Sequence, residues 1–268
     1  MEGHEKPERD WGKTREKALK VASNKPRFFI SGYQKIAQGD DQELWESLGP
    51  LDYMFSAEQS KNGSTIQVGR KNFTVVDSFD SLDSTNKEGE KKVLLVEDDK
   101  RKLKIFKRLP PHKLLECYLN AKELEDNGIK VCPNPRLLRV DNEWEDTIEY
   151  DYIPGVTVDE YIADAGEEVR PERWKKVLNY FDTVYAPLSR GQLLRSGRVY
   201  NCTDFNAGSI IVSNPDSEHP DFFLIDLEGS IVDLQGVSRE QIERSIEMNR
   251  GSLLHNINLR LETRVKSV

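Results

Sequence analysis

The chain has 268 residues, enough for one large domain or two small ones, with 32% of them charged. Its formal net charge of -8 argues against a nucleic-acid partner, whose backbone calls for basic surface, and 37% hydrophobic residues in recurring short runs fit a soluble globular fold. No apolar run approaches the roughly 20 residues of a membrane span, M-E-G-H-E-K-P-E-R-D lacks the apolar core of a signal peptide, and three scattered cysteines with four distant histidines make neither a disulfide framework nor a zinc site.

Residues 1–26 read as a polar, charged arm with Trp11 as its one large apolar anchor. A short helix fits 42–48, where Leu44, Trp45 and Leu48 share a face. Residues 64–76 alternate and are β-rich, and the polar run D-S-L-D-S-T-N-K-E-G-E-K after them reads as a long exposed loop. Two strands follow, K-V-L-L-V-E and K-L-K-I-F-K, joined by the turn D-D-K-R as a hairpin. Pro110 and Pro111 end that strand and open a helix, since a proline in the first turn lacks only an N–H that would go unpaired there. Leu114, Leu115, Tyr118, Ala121 and Leu124 line one side of the helix, and Gly128 stops it.

Two further strands are expected in 129–153, with cores P-R-L-L-R-V and T-I-E-Y-D-Y-I. After I-P-G the periodicity turns helical. Thr157 and Glu160 have capping-box spacing for a helix through Ala163. Trp174, Val177, Leu178, Phe181, Val184 and Leu188 predict a buried helix over 171–188. A short β pair falls around 208–226, and Ser238 with Gln241 caps a last helix striped by Ile242, Ile246, Leu253, Ile257 and Leu261. The expected organisation is an arm over 1–60, a β-rich part over 61–149, a connector at 150–156 and a helical part over 157–268.

Chemistry concentrates between Cys202 and Asp226. C-T-D-F-N-A-G-S-I-I-V, a polar turn and D-F-F-L-I-D-L-E place two carboxylates, Asp204 and Asp226, at neighbouring ends of a small buried hairpin. Such a pair suits phosphate transfer from a nucleotide, one acid for the acceptor hydroxyl and one for the metal. A carboxylate at the exit of a buried strand is costly unless paired or metal-bound.

With this order of elements, four weak motifs resemble the protein-kinase-like superfamily, closest to its small atypical branch of RIO kinases, lipopolysaccharide kinases and aminoglycoside or choline phosphotransferases. The resemblance covers roughly residues 65–260 and implies an α+β, two-lobed fold with a small β-rich N-lobe carrying one main helix and a mostly helical C-lobe. L-K-I-F-K is similar to the third-strand lysine motif, which implies that Lys104 contacts the nucleotide phosphates, with Lys107 as the competing candidate. Glu116, twelve positions after Lys104, is the implied partner of the lysine, with Glu123 two turns later on the same face. T-D-F-N-A-G-S-I-I-V resembles the catalytic loop, so Asp204 would orient the acceptor hydroxyl and take its proton. F-F-L-I-D-L-E resembles the metal-binding strand exit, so Asp226 would chelate Mg²⁺, with Glu228 beside it. E-Y-D-Y-I-P-G-V-T resembles the interlobe connector, where backbone groups near Tyr150 to Tyr152 would meet the adenine edge.

The sequence departs from that pattern at three places. Cys202 stands at the usual histidine, Ser209 at the usual metal-binding asparagine, and no G-x-G-x-x-G precedes the lysine strand. Serine offers Mg²⁺ one oxygen of shorter reach, and Asn206 is a nearby amide at the wrong offset. Gly69 and Gly63 are the glycines near a suitable turn, where amides and the side chains of Arg70 and Lys71 have the charge to contact phosphate. The resemblance implies an ATP- and Mg²⁺-dependent phosphotransferase acting on a hydroxyl acceptor, a small molecule, glycan or protein. The alternative is a pseudokinase that binds a nucleotide or a protein partner. About forty residues follow Asp226 and A-P-E is missing, which favours an acceptor other than an ordinary peptide. A reducing cytoplasm is the expected compartment.

Overall fold

The computed structural model describes residues 55–79, 92–109, 111–138, 147–201, 205–227, 230–232 and 237–265. The expected arm with Trp11, the helix at 42–48, the polar loop at 80–91, Pro110, and Cys202, Asp204 and Glu228 lie outside them.

The first part is one antiparallel sheet of six strands in the order β1-β2-β3-β4-β6-β5. The β-rich stretch that begins at 64 divides into β1 (Thr65–Val68) and β2 (Lys71–Phe79), paired with Val68 opposite Lys71. Gly69 between them has φ 62°, a left-handed turn conformation that costs glycine little. The expected hairpin is β3 (Val93–Glu97) with β4 (Leu103–Arg108), in a register that sets Val96 opposite Lys104 and Val93 opposite Lys107. β5 (Arg136–Leu138) and β6 (Thr147–Asp151) complete the sheet, with β6 laid along β4. Phe55, Ile66, Phe73, Val75, Leu94, Val96 and Phe106 form a compact apolar cluster on one face of it.

Helix α1 (Pro111–Asp126) follows β4. It ends as the glycine position predicts: the Gly128 amide donates to Glu125 O at 3.0 Å and the Ile129 amide to Leu124 O at 3.0 Å, a Schellman closure. Leu114, Cys117, Ala121 and Leu124 are buried in the second, larger cluster together with Ile148 and Tyr150 of β6.

The second part is mostly helical. Two residues, Val156–Thr157, form β7, an element the sequence reading did not anticipate. α2 (Val158–Ala163) starts directly after, with the Thr157 amide donating to Glu160 Oε2 at 3.0 Å. The long buried helix is present as α3 (Arg170–Tyr180), a π-helical turn (Phe181–Tyr185) and α4 (Ala186–Ser189). Pro187 accounts for the widened turn, because it has no amide to donate to the preceding turn and its ring crowds the carbonyl four residues back. β8 (Val199–Asn201) pairs with β11 (Ser230–Val232). A 3₁₀ turn (Ala207–Ser209) leads into β9 (Ile210–Ser213), which lies between β7 and β10 (Asp221–Leu224).

The last helix, α5 (Arg239–Val265), has the expected reciprocal cap, Ser238 amide to Gln241 Oε1 at 2.9 Å and Gln241 amide to Ser238 Oγ at 3.2 Å. Its buried stripe is Ile242, Ile246, Leu253 and Ile257, with Asn249 filling the gap by donating to Tyr185 Oη at 2.7 Å. The α+β, two-part arrangement is therefore the one the sequence predicts, a β-rich first part with one main helix and a mostly helical second part. No helix among the described residues is long and apolar enough to cross a membrane.

Candidate functional site

The site forms where β4 meets the exit of β10. Strand alternation puts residues three apart on opposite faces. Lys107 accordingly turns towards the second part, and its Nζ lies 3.5 Å from Asp226 Oδ1, with the two side chains 18% and 28% exposed. Lys104 turns to the other face. Its ammonium is bonded to Asp151 and stands 3.5 Å from Glu149 Oε1, a carboxylate that also pairs with Arg136. Lys104, expected to face the phosphates, is thus displaced from Asp226 by the strand's own pleat, and Lys107 stands in its place.

Asp226 is held by its backbone. Tyr200 of β8 donates its hydroxyl to Asp226 O at 2.8 Å, and Asn120 of α1 donates its amide to Leu227 O at 2.9 Å. Asp226 Oδ1 is buried and accepts no hydrogen bond among the described residues, and the Lys107 ammonium faces it. Beneath the pair lies Cys132, whose Sγ donates to Ile225 O at 3.6 Å. Burial pushes its thiol up to about 12, with the nearby Lys107 charge opposing and Asp226 adding to the shift.

Glu116 and Glu123 separate clearly in the structure. Glu123 is fully buried and turned to the segment before β8, accepting from Ser196 Oγ at 3.0 Å and lying 3.6 Å from Arg198. Glu116 is half-buried one helical turn before Asn120, hence on the face of α1 that meets residues 226 and 227.

Ser209 is 1% exposed and its hydroxyl accepts the Asn206 amide at 3.2 Å, while Asn206 Oδ1 accepts from the Gly208 amide at 2.8 Å. The two polar residues weighed for metal binding therefore cap the 3₁₀ turn. The Ile225 amide donates to Ser209 O at 2.9 Å, so the predicted hairpin does bring the Ser209 end of β9 beside the Asp226 end of β10. Phe205, the first described residue after Asp204, is buried and stacks on Tyr185 with centroids 3.8 Å apart.

Tyr150 is buried within β6, opposite Ile105. The next two amides are committed to the protein, Asp151 to Pro133 O at 3.0 Å and Tyr152 to Leu103 O at 3.3 Å. Ile153 is then the first connector residue past the ladder. Gly155 follows under a tight constraint, since a Cβ there would meet Val212 O at 2.5 Å. Arg70 is exposed at the β1–β2 turn, and the register carries that turn beyond the Leu103 end of the sheet, away from Lys107. Arg70 and Lys71 are not brought to the site.

No three His, Cys, Asp or Glu side chains among the described residues cluster closely enough to hold a metal ion. The donor that fits a divalent cation is Asp226, a buried carboxylate oxygen with no hydrogen bond, and magnesium is commonly held by one or two carboxylates with phosphate oxygens supplying the rest. Ser209 is buried and its hydroxyl accepts the Asn206 amide, which leaves one lone pair for any further contact.

No family model matches the chain, and no curated protein does. Among solved structures it is similar to the BubR1 kinase domain at 12% identity and a TM-score of 0.43, covering 80% of this chain and 62% of that one. It therefore spans less than two thirds of that neighbour's length. APH(2")-IIia in complex with GDP and kanamycin matches at 13% identity and a TM-score of 0.29, over 73% of this chain and 82% of that one. An ethanolamine kinase of Plasmodium vivax matches at 10% identity and a TM-score of 0.27, over 96% of this chain and 85% of that one.

Proposed function

We propose that the chain is a phosphotransferase of the protein-kinase-like kind, moving the γ-phosphoryl group of ATP to a hydroxyl acceptor. The observation that carries this reading is the Lys107–Asp226 pair, an ammonium and a carboxylate 3.5 Å apart on two different parts of the fold, neither fully buried. A lysine and an aspartate so placed can share one polyphosphate, the lysine neutralising its oxygens directly and the aspartate through a cation. Lys107 takes the role that the sequence offered first to Lys104. Glu116 orients Lys107, the adenine edge meets the backbone at Ile153, and Asp204 orients the acceptor hydroxyl and accepts its proton. Magnesium, held by Asp226 when ATP is bound, supplies charge neutralisation on the phosphates.

The test is a pair of measurements on the whole chain. Mg·ATP is expected to raise the melting temperature, and ATP turnover is expected to vanish in Asp204→Ala and Asp226→Ala. Absence of any nucleotide effect in the wild type overturns the reading. One observation favours a second reading, a pseudokinase that binds nucleotide without transferring phosphate: the Ser209 hydroxyl is buried and engaged by Asn206, which weakens what that position can offer a cation beside Asp226. Nucleotide binding without turnover in the wild type supports this alternative.

A further inference from the structure

A closed circuit of contacts joins α1 to both sides of the site. Asn120, fully buried, donates to Leu227 O at 2.9 Å. The next residue back, Asp226, accepts from Tyr200 Oη at 2.8 Å, and Tyr200 belongs to β8. Just before β8, Arg198 is 8% exposed and 3.6 Å from Glu123 Oε2, and Ser196 donates to Glu123 Oε1 at 3.0 Å. Glu123 returns the circuit to α1, one turn from Asn120. Asn127, just past the helix, adds a further tie by accepting the Arg195 amide at 2.9 Å.

A fully buried carboxylate facing an arginine is not a cheap way to pack two elements. An apolar pair of similar volume is often as stable or more so, because two charges must leave water to form the ion pair. What an ion pair and a directed amide bond add is orientation. They fix α1 in one rotation and one axial position relative to β8 and the β10 exit, which apolar contacts would let slide.

We propose that Asn120, Glu123 and Arg198 are positioning residues that hold Glu116 of α1 in register with Asp226, so that the phosphate-binding groups are preassembled before nucleotide arrives. This rests on the phosphotransferase reading. None of the three touches the nucleotide in this proposal; each acts through the placement of Glu116, Lys107 and Asp226.

The experiment compares affinities for Mg·ATP and for adenosine by calorimetry, in wild type, Glu123→Gln, Asn120→Leu and Ser196→Ala. Adenosine has no phosphates, so it reports on the connector alone. The expected result is a loss of about two- to thirtyfold in Mg·ATP affinity with adenosine affinity unchanged. Equal losses for both ligands would mean a purely structural role, and unchanged affinities for both would mean no role; either result overturns the proposal. Ser196→Ala removes a single bond from an exposed side chain and carries the test if the buried variants fail to fold. Wild type that binds neither ligand refutes the phosphotransferase reading and this proposal with it. Wild type that prefers Mg·ATP, with variants that keep the same preference, refutes this proposal alone.

Discussion

Lys104 and Lys107 stand on opposite faces of β4, and it is Lys107 whose ammonium lies 3.5 Å from Asp226. Lys104 instead closes a network with Asp151 and Glu149 beside the connector. The two lysines of one short motif therefore have different surroundings, one facing Asp226 across the two parts of the fold and one securing the end of the sheet.

Replacing each lysine by methionine separates the two roles. Lys107→Met is expected to weaken Mg·ATP binding by about ten- to a hundredfold, the range of a charge-assisted hydrogen bond. Lys104→Met is expected to cost about 1–3 kcal/mol in urea unfolding, because it removes the ammonium that Asp151 and the buried Glu149 share, while nucleotide affinity changes far less. Calorimetric titration and urea denaturation of both variants check this, and the reverse assignment predicts the opposite pattern.

The Lys104–Asp151 pair also sets a dependence on acidity. Burial acts to raise the Asp151 carboxyl, but hydrogen bonds from Lys104 and Asn134 outweigh it and hold the group below the usual carboxylate range. With the folded value below the unfolded one, its contribution to stability is complete above the unfolded value of about 3.9 and is lost as pH falls through the folded value. The gap in unfolding free energy between wild type and Asp151→Asn should stay constant from about pH 8 to 5 and close below about pH 4. A gap that closes near neutrality would show that another group is responsible.

Gly155 tests the packing of the connector. Its Cβ position lies 2.5 Å from Val212 O and 2.8 Å from the Ile211 side chain, so Gly155→Ala must push β7 away from β9. The expected loss is about 1–3 kcal/mol, the usual cost of overpacking, read as a lower urea midpoint with an unchanged slope. Gly128→Ala provides the contrast, because no atom lies within 4 Å of its Cβ position and its cost comes from φ 79° alone.

The elements that carried the sequence argument were those with strong local signals. The stripe of α1 and its glycine stop, the caps of α2 and α5, and the hairpin of β9 and β10 all have short-range physics that a single sequence displays. The long helix was legible in extent but not in its π-helical turn, which depends on how Pro187 is accommodated within a packed helix. β7, β8 and β11 are two or three residues long, too short for a period to emerge, and exist through pairing with distant partners. Lys104 and Lys107 were both visible, yet which face of β4 meets the second part is set by the register of the whole sheet. Alternation alone shows that the two lysines differ and leaves open which one turns inward. The same holds for Glu123, whose tie to Ser196 and Arg198 spans more than seventy positions of chain. The cap that the Ser209 hydroxyl provides to the Asn206 amide depends on the local 3₁₀ turn, which a motif position does not display.

The widened turn at Phe181–Tyr185 acts as a phase shift in an otherwise continuous helix. In a regular helix each residue advances the side chains by about 100°. One residue accommodated as a bulge thus sets the azimuth of everything downstream, including Leu188 in the core, and fixes the approach of the Tyr185 ring to Phe205 at 3.8 Å. Deleting a single residue from that turn would restore regular winding, rotate the Tyr185 ring off Phe205 and leave the neighbour of Asp204 without its aromatic floor.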